Sequence, residues 1–188
     1  MLTELQRQKI THYFHAVLDQ DRNGVLQDND FMEIGESLCI LWRYKPGSPE
    51  YQKVIDQCLS SWHLFERHFK TTGGEANLEN FLKFFDKMLS PGGEEMYRQY
   101  VINVVGDVFD SFDVNADGVI SINEYVDLFM CYHIKIKYSA KAFLKLDRNG
   151  DDQVTKEELL QAVDEFFKSD DPKAPGNWLF GFWGDKDE

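Results

Sequence analysis

The chain of 188 residues lacks several features that would place it in other protein classes. No stretch approaches the roughly 18 consecutive apolar residues of a membrane-spanning helix, and residues 1–10 lack the apolar core of a signal peptide. Cysteine is scarce, odd in number and widely spaced (Cys39, Cys58 and Cys131), which favours reduced core thiols, with a redox role as the weaker alternative. We therefore expect a cytoplasmic protein without stable membrane insertion.

Basic residues are also in short supply, since 20 lysines and arginines stand against 33 aspartates and glutamates and give a formal net charge of -13. A surface of this charge repels nucleic acid and anionic membranes and attracts cations. Apolar residues make up 43% of the chain, enough for a substantial core in one domain or in two closely packed halves. The composition thus predicts a globular protein with no nucleic-acid partner.

A twelve-residue pattern occurs three times, at residues 19–30, 113–124 and 147–158. Each copy has oxygen-bearing side chains at positions 1, 3 and 5, an aliphatic residue at position 8 and a carboxylate at position 12. A hard divalent cation takes six to eight oxygens at about 2.3 to 2.6 Å, and alternate residues of a tightly coiled loop can all point inward at one ion. The spacing is that of the EF-hand calcium loop and predicts three bound Ca²⁺ ions.

The most regular copy is residues 113–124, which we call loop three. Gly118 stands at position 6, where the loop turns sharply. Position 7 should bind through its backbone carbonyl, position 9 through a water molecule and position 12 through both carboxylate oxygens. The predicted ligands are Asp113, Asn115, Asp117, Val119, Ser121 and Glu124.

Residues 147–158 form loop four, which departs from the pattern at one position. Position 6 is Asp152, which must adopt a left-handed backbone conformation that aspartate tolerates with more strain than glycine. Moving the frame to put Gly150 at position 6 would put Lys145 at position 1, so the frame stands and we expect slightly weakened binding. The predicted ligands are Asp147, Asn149, Asp151, Gln153, Thr155 and Glu158.

Residues 19–30, loop one, end in aspartate instead of glutamate. The shorter Asp30 side chain should reach the ion with one oxygen, which lowers the coordination number towards six and towards the octahedral geometry that Mg²⁺ demands. We therefore expect this site to accept Mg²⁺ as well as Ca²⁺. Its predicted ligands are Asp19, Asp21, Asn23, Val25, Gln27 and Asp30, with Gly24 at the turn.

Apolar residues at helical spacing flank every loop, and Thr3 with Gln6 has the spacing of a capping box at the first helix. Position 8 residues of paired loops should form short antiparallel strands, with Ile120 beside Val154 in the second half. The predicted helices of the first half cover residues 3–18, 31–41, 50–70 and 79–89, and those of the second half lie around 96–112, 125–130, 143–144 and 159–167.

A second loop should lie between residues 70 and 79. If Leu78 is at position 8, where it would pair with Leu26, position 12 is Leu82 and the terminal carboxylate is missing. This loop should hold no ion, and its helices should cover the apolar face of the first hand. Its residues at positions 1, 3 and 5 are Thr71, Gly73 and Glu75.

The run Ser90-Pro91-Gly92-Gly93 is the predicted boundary between the two halves. We expect an all-α fold of four EF-hands in two packed pairs, with short antiparallel β links between paired loops. Residues 1–90 would hold hand one, which is functional, and hand two, which is degenerate; residues 91–168 would hold functional hands three and four. Residues 169–188 would form a tail that packs on the body through Trp178, Leu179, Phe180, Phe182 and Trp183.

The chain resembles the invertebrate sarcoplasmic calcium-binding proteins and the related calexcitins in four features. These are functional hands one, three and four, a degenerate second hand, Asp30 at the end of loop one and the tail segment 170–181. The resemblance covers nearly the whole chain. It implies a compact cytosolic protein that buffers Ca²⁺ and Mg²⁺ or, in the calexcitin branch, carries neuronal calcium signals. A GTP-related activity proposed for calexcitins has no support, because the chain has no Gly-x-x-x-x-Gly-Lys-Ser/Thr loop.

Buffer, sensor and light-emitting enzyme remain the alternatives. A sensor exposes a groove that is usually rich in methionine, whereas this chain has five methionines against 15 phenylalanines. Its tail could fill such a groove; the less favoured alternative is that the tail docks on a partner. Photoproteins and luciferin-binding proteins share this pattern of hands, but they hold a chromophore with internal His, Tyr and Trp groups and typically end in proline. This chain ends in Asp187-Glu188, so we expect a non-enzymatic monomer whose histidines are ordinary; they are His12, His15, His63, His68 and His133.

Overall fold

The computed structural model describes residues 1–72 and 74–184. In this part of the chain the fold is all-α with two short strands, as predicted. None of its helices is long and apolar enough to cross a bilayer. The helices are α1 (Glu4–Tyr13), α2 (Asp28–Leu41), α3 (Pro49–Thr72), α4 (Leu78–Leu89), α5 (Glu94–Phe112), α6 (Ile122–Cys131), α7 (Ser139–Leu146) and α8 (Lys156–Lys168), and the strands are β1 (Val119–Ser121) and β2 (Gln153–Thr155).

The first helix begins as predicted and ends differently. Thr3 and Gln6 form the capping box of α1. After Tyr13 the chain widens into a π-helical turn, Phe14–Leu18, in which the Asp19 amide donates to the Phe14 carbonyl at 2.8 Å. The extra residue of this turn leaves Val17 and Leu18 buried in the core and brings Asp19 to the start of loop one.

The loops of each half are joined by antiparallel pairing. In the second half Ile120 lies opposite Val154, which confirms the predicted strands. In the first half the Leu26 amide donates to the Ala76 carbonyl at 3.0 Å and Val25 pairs with Asn77, so the predicted partner Leu78 was wrong by two residues.

Buried aromatic side chains from both halves form one continuous core. Phe85 of α4 stacks on Phe167 of α8 with 5.0 Å between ring centroids. The Tyr100 hydroxyl of α5 donates to the hydroxyl of Tyr13 at 3.0 Å. The predicted boundary, Ser90 to Gly93, lies in the turn between α4 and α5, but the cores of the two halves are not separate.

The tail packs against α1, α6 and α8. Pro175–Trp178 forms a short 3-10 turn, after which Leu179 and Phe180 are buried. The Leu179 carbonyl accepts the Tyr125 hydroxyl at 2.7 Å, and the Phe180 ring stacks on Tyr13 at 5.0 Å. The last four residues of the predicted tail, 185–188, lie outside the described residues.

One lysine of α1 links the tail to the end of α8. Lys9 is fully buried, and its Nζ donates to the Glu165 carbonyl at 3.0 Å, the Ser169 carbonyl at 2.8 Å and the Asn177 side-chain oxygen at 3.0 Å. Two of these acceptors are backbone carbonyls at the C-terminal end of α8, where the helix dipole favours a cation. Lys9 therefore caps α8 and holds the tail at the same time.

Candidate metal centres

The same ladder of hydrogen bonds turns the side chains of loops one, three and four inward. The position 1 carboxylate accepts the amide of position 6: Asp113 accepts Gly118 at 3.0 Å. Position 3 accepts the amide of position 5, and position 5 accepts that of position 7. Equivalent bonds join Asp19 to Gly24, Asp21 to Asn23, Asn23 to Val25, Asp147 to Asp152, Asn149 to Asp151 and Asp151 to Gln153 at 2.7 to 3.2 Å.

The carboxylate at position 12 is bound to backbone amides at both ends of its loop. Glu124 accepts the Val114 amide at 3.0 Å and the Ser121 amide at 2.8 Å. These donors are positions 2 and 9, and position 9 also caps the helix that follows the loop. The same pairs of donors serve Asp30 (Gln20 and Gln27) and Glu158 (Arg148 and Thr155) at 2.8 to 2.9 Å.

Buried carboxylates lie at both ends of loops one and four and at position 12 of loop three, where Asp113 at position 1 is half-buried. Among the described residues, every buried carboxylate belongs to position 1 or position 12 of these three loops. Burying a carboxylate is costly unless a cation compensates it. Apart from His15, whose Nδ1 lies 3.4 Å from Asp19, no cationic side chain of the described residues pairs with these groups, which are Asp19, Asp30, Glu124, Asp147 and Glu158.

Loop one is the most tightly clustered of the sites. One ligand oxygen from each of Asp19, Asp21 and Asp30 lies within 4.8 Å of the other two. Burial raises the pKa of the Asp30 carboxyl, and the neighbouring Asp21 adds to the increase, while amide hydrogen bonds oppose it. In loop four burial also opposes ionisation, but hydrogen bonds from Thr155 and Arg148 lower the pKa of Glu158. Burial thus works against the ionised carboxylates of Asp30 and Glu158, which a bound divalent cation would stabilise.

The remaining predicted ligands occupy the second part of each loop. Val119 and Gln153, expected to bind through their carbonyls, begin β1 and β2, and Val25 lies in the corresponding bridge. At position 9 the hydroxyls of Ser121 and Thr155 donate to their own loop's glutamate at 2.8 and 2.9 Å. Gln27, the equivalent residue of loop one, is exposed and has a longer side chain, which suits a direct contact with an ion.

Backbone strain is distributed differently from the sequence expectation. Position 6 has the expected positive φ in all three loops, including Asp152 at 63°. Position 4 is also left-handed in all three, with φ of 59° at Arg22, 55° at Ala116 and 74° at Gly150. Each loop thus has one glycine and one non-glycine residue in this conformation. The backbone strain expected for loop four alone therefore has a counterpart in the other two loops. The left-handed conformation at position 4 was not predicted from the sequence.

The second hand has no comparable ligand set. Because Asn77 pairs with Val25 and caps α4, it corresponds to position 9, which makes Ala76 position 8 and Asn80 position 12. Position 1 is then Phe69, whose side chain is buried in the core. Helix α3 continues through this position to Thr72. Of the residues first assigned to the loop, Gly73 and the side chain of Thr71 lie outside the described residues, and Glu75 is exposed.

Comparisons with known proteins agree with this geometry. The sequence pattern of the EF hand family matches residues 105–130 and 140–163. Calerythrin from Saccharopolyspora erythraea is 26% identical over 152 residues, which cover 79% of this chain and 84% of calerythrin.

Two solved structures share the fold over almost the whole chain. The sarcoplasmic calcium-binding protein of amphioxus has a TM-score of 0.70 at 19% identity and covers 97% of this chain and 99% of its own. The calcium-loaded apo form of the coelenterazine-binding protein of Renilla muelleri has a TM-score of 0.73 at 19% identity, with coverage of 96% and 99%.

The loop geometry, the matched family pattern and the fold define a calcium-binding EF-hand protein. Its fold is similar to that of the amphioxus sarcoplasmic calcium-binding protein, in agreement with the resemblance read from its sequence.

Proposed function

We propose that the chain is a cytoplasmic Ca²⁺/Mg²⁺ buffer that binds three ions, one in each of loops one, three and four. The observation that carries the proposal is the set of inward-facing carboxylates at positions 1 and 12 of these loops, which are buried except for the half-buried Asp113. The second hand has Phe69 and Asn80 at the equivalent positions. In this arrangement residues 1–90 contribute one functional hand and residues 91–168 contribute two. Loop one, closed by Asp30, is the site that takes Mg²⁺ most readily.

Counting ions in the parent chain and in variants by calorimetry tests this proposal. The parent should bind three Ca²⁺, and Glu124→Gln and Glu158→Gln should each weaken one site by roughly a hundredfold, because each removes a charged bidentate ligand. Glu75→Gln, at an exposed glutamate of the second hand, is the matched control and should leave the count unchanged. A fourth site in the parent, or a parent-like titration of Glu124→Gln, would contradict the assignment.

The docked tail supports a buffer over a sensor of the calexcitin kind. A sensor opens a groove for its target on binding calcium, whereas Leu179 and Phe180 here are buried on the body. The Tyr125 hydroxyl donates to the Leu179 carbonyl, and Lys9 donates to the side chain of Asn177 in the same tail. We expect the parent to bind calcium without binding an apolar dye, and a chain ending at Asp171 to bind the dye and melt at lower temperature. Strong dye binding by the calcium-loaded parent would favour the sensor.

A chromophore-binding role is the candidate from another class, because coelenterazine-binding protein has a similar fold. A cavity of about 80 Å³ lies between the halves, lined by Tyr13, Phe31, Leu38, Val104 and Phe180. Pockets that bind small organic molecules usually have volumes of about 300 to 1,000 Å³. The cavity between the halves is therefore smaller than such a site, and the larger hollows of about 500 to 670 Å³ are more open to solvent. On this ground we prefer a non-enzymatic buffer. Visible absorbance of freshly purified protein, or a flash of light on adding calcium, would reverse this choice.

A further inference from the structure

One face of the second half has a charge opposite to that of the whole molecule. Residues 128–146 contain no aspartate or glutamate, whereas they contain four lysines, in a chain with a formal net charge of -13. Lys141 and Lys145 are one turn apart on α7 and so share a side of the helix. Lys137 lies in the short 3-10 turn Ile136–Tyr138 that precedes α7, and Lys135 comes directly before that turn. All four are exposed, and none forms an ion pair within the part of the chain that the structure describes.

Aromatic rings lie among these lysines. Trp178 of the tail stacks on Phe182 with 5.2 Å between centroids, and Phe182 lies 6.1 Å from the ring of Tyr138. Lys141 Nζ is 4.1 Å from the centre of the Trp178 ring, and Lys137 Nζ is 4.9 Å from that of Tyr138. We call these five residues, Lys137, Tyr138, Lys141, Trp178 and Phe182, the lysine–aromatic face.

This face combines exposed apolar surface with fixed positive charge. Phe182 is 39% exposed, and the neighbouring segment also exposes Ile136 by 50% and Leu144 by 66%. Contact with an aromatic ring holds an ammonium group in place and reduces the conformational freedom it must lose on binding an anion. Apolar surface with a charged border is typical of protein interaction sites.

We propose that the lysine–aromatic face binds an acidic peptide segment of a partner protein, whose carboxylates contact Lys137 and Lys141 and whose apolar side chain packs on Phe182. Charge complementarity favours an acidic partner. A short peptide covers only the face, whereas an anionic bilayer is wider and would also meet the surrounding acidic surface within the ~8 to 10 Å over which charges act at physiological salt. The acidity of the rest of the molecule therefore favours the peptide.

Fluorescence anisotropy with the calcium-saturated full chain tests the proposal. The probe is a fluorescein-labelled synthetic peptide in which glutamates flank one phenylalanine, and its affinity should fall as salt is added. The double variant Lys137→Glu/Lys141→Glu should bind it at least about tenfold more weakly, because both contacts become repulsive. The matched control Lys53→Glu/Lys87→Glu reverses two exposed lysines on α3 and α4 and should bind like the parent.

Folding of every variant is checked by circular dichroism and calcium titration, and Lys137→Gln/Lys141→Gln, which removes the charges without reversing them, should also weaken binding. Parent-like affinity in a folded Lys137→Glu/Lys141→Glu variant would overturn the proposal. So would equal binding of a peptide with glutamines in place of the glutamates. Binding to phosphatidylserine vesicles without binding to the peptide would also overturn it and assign the face to a lipid surface.

Discussion

At the scale of single residues, Asp30 makes the same two amide contacts in loop one that Glu124 makes in loop three, although its side chain is one methylene shorter. Both of its oxygens are already engaged by the loop, and the residue is completely buried, compared with 8% exposure for Glu124. The shorter side chain should offer an ion one oxygen more easily than two, which would favour the smaller coordination number of Mg²⁺.

Exchanging these two side chains should therefore exchange the ion preferences of their loops. We expect Asp30→Glu to make calcium binding less sensitive to millimolar Mg²⁺, and the reciprocal Glu124→Asp to make it more sensitive. Calcium titrations with and without Mg²⁺ measure both effects. If Mg²⁺ inhibits both variants as it inhibits the parent, the length of the position 12 side chain does not set the preference.

Loop four differs from the other two loops in the order of its two left-handed residues. Its glycine, Gly150, is at position 4 and the non-glycine residue, Asp152, is at position 6. A Cβ at Gly150 would meet no atom within 4 Å, so only the backbone conformation disfavours a side chain there. Gly150→Ala should destabilise the protein by about 1 kcal/mol. Gly106→Ala is the matched control: Gly106 lies inside α5, also with open space at its Cβ, and alanine there should stabilise by up to about 1 kcal/mol. Urea unfolding measures both, and equal effects would contradict the strain argument.

The loop residues show which features of a site the sequence can predict. The positions expected to bind an ion follow from ligand chemistry, and the structure turns the same side chains inward in all three loops. The left-handed conformation at position 4 has no such signature, because arginine, alanine and glycine occupy it in turn. It results from the closing of the loop as a whole, and the side chains do not select it.

At the scale of elements, the second hand shows how a register can be misassigned. Leu78 has the aliphatic character expected of position 8, but it begins α4, while the small Ala76 fills the position instead. The signal that could have corrected the frame is Asn77, a favoured helix cap, whose side-chain oxygen accepts the Asn80 amide at 3.1 Å. A cap fixes position 9 and is a better guide to register than an aliphatic residue in a loop without ligands.

The contact between α1, α8 and the tail has a pH dependence that can be measured. Burial lowers the pKa of Lys9 to about 8, although Asp170 and Glu165 oppose the shift. Because the folded pKa lies below the unfolded value of 10.5, the unfolded chain binds more protons between these values, and this residue's contribution to stability increases from pH 8 to pH 10.5.

Lys9→Met should destabilise the protein by roughly 1 to 3 kcal/mol, because it leaves buried acceptors of Asn177 and the end of α8 without a donor. The difference between parent and variant should be larger at pH 10 than at pH 7, as thermal or urea unfolding at the two values would show. Lys53→Met, at an exposed lysine of α3, should give no such difference. A stability difference between parent and Lys9→Met that is smaller at pH 10 than at pH 7 would contradict this direction of pH dependence.

None of the tail contacts could be derived from local sequence. The apolar residues of the tail predicted that it would pack on the body, but its anchor is Lys9, which lies 168 residues away from Asn177 along the chain. A lysine in an amphipathic helix is ordinarily an exposed residue. Only the meeting of three elements makes its burial favourable, and that meeting depends on the whole fold.

At the scale of the molecule, the two pairs of hands share one core. Tyr13 and Phe85 of the first half contact Phe167 of α8, with ring centroids 5.4 and 5.0 Å apart. Tyr100 of α5 also contacts Phe85, with 5.5 Å between the ring centroids. If one half unfolded, the other would expose much of this aromatic surface to water, at a cost of about 25 cal/mol per Å² of apolar area. The halves should therefore unfold together, although the proposed ion sites lie in separate loops.

Removing calcium from the second half should consequently destabilise the first half as well. A site occupied at about 1,000 times its dissociation constant adds roughly 4 kcal/mol to the free energy of unfolding. In saturating calcium, the double variant Glu124→Gln/Glu158→Gln should unfold at a lower urea concentration than the parent. The midpoint should fall equally in α3, measured by the fluorescence of Trp62 as the single tryptophan, and in α8, measured by amide hydrogen exchange. Helix α3 contributes no ligand to loops three and four, so only a shared core can transmit the loss of their ions to it. If the Trp62 transition keeps its parental midpoint while α8 loses protection, the two halves unfold independently.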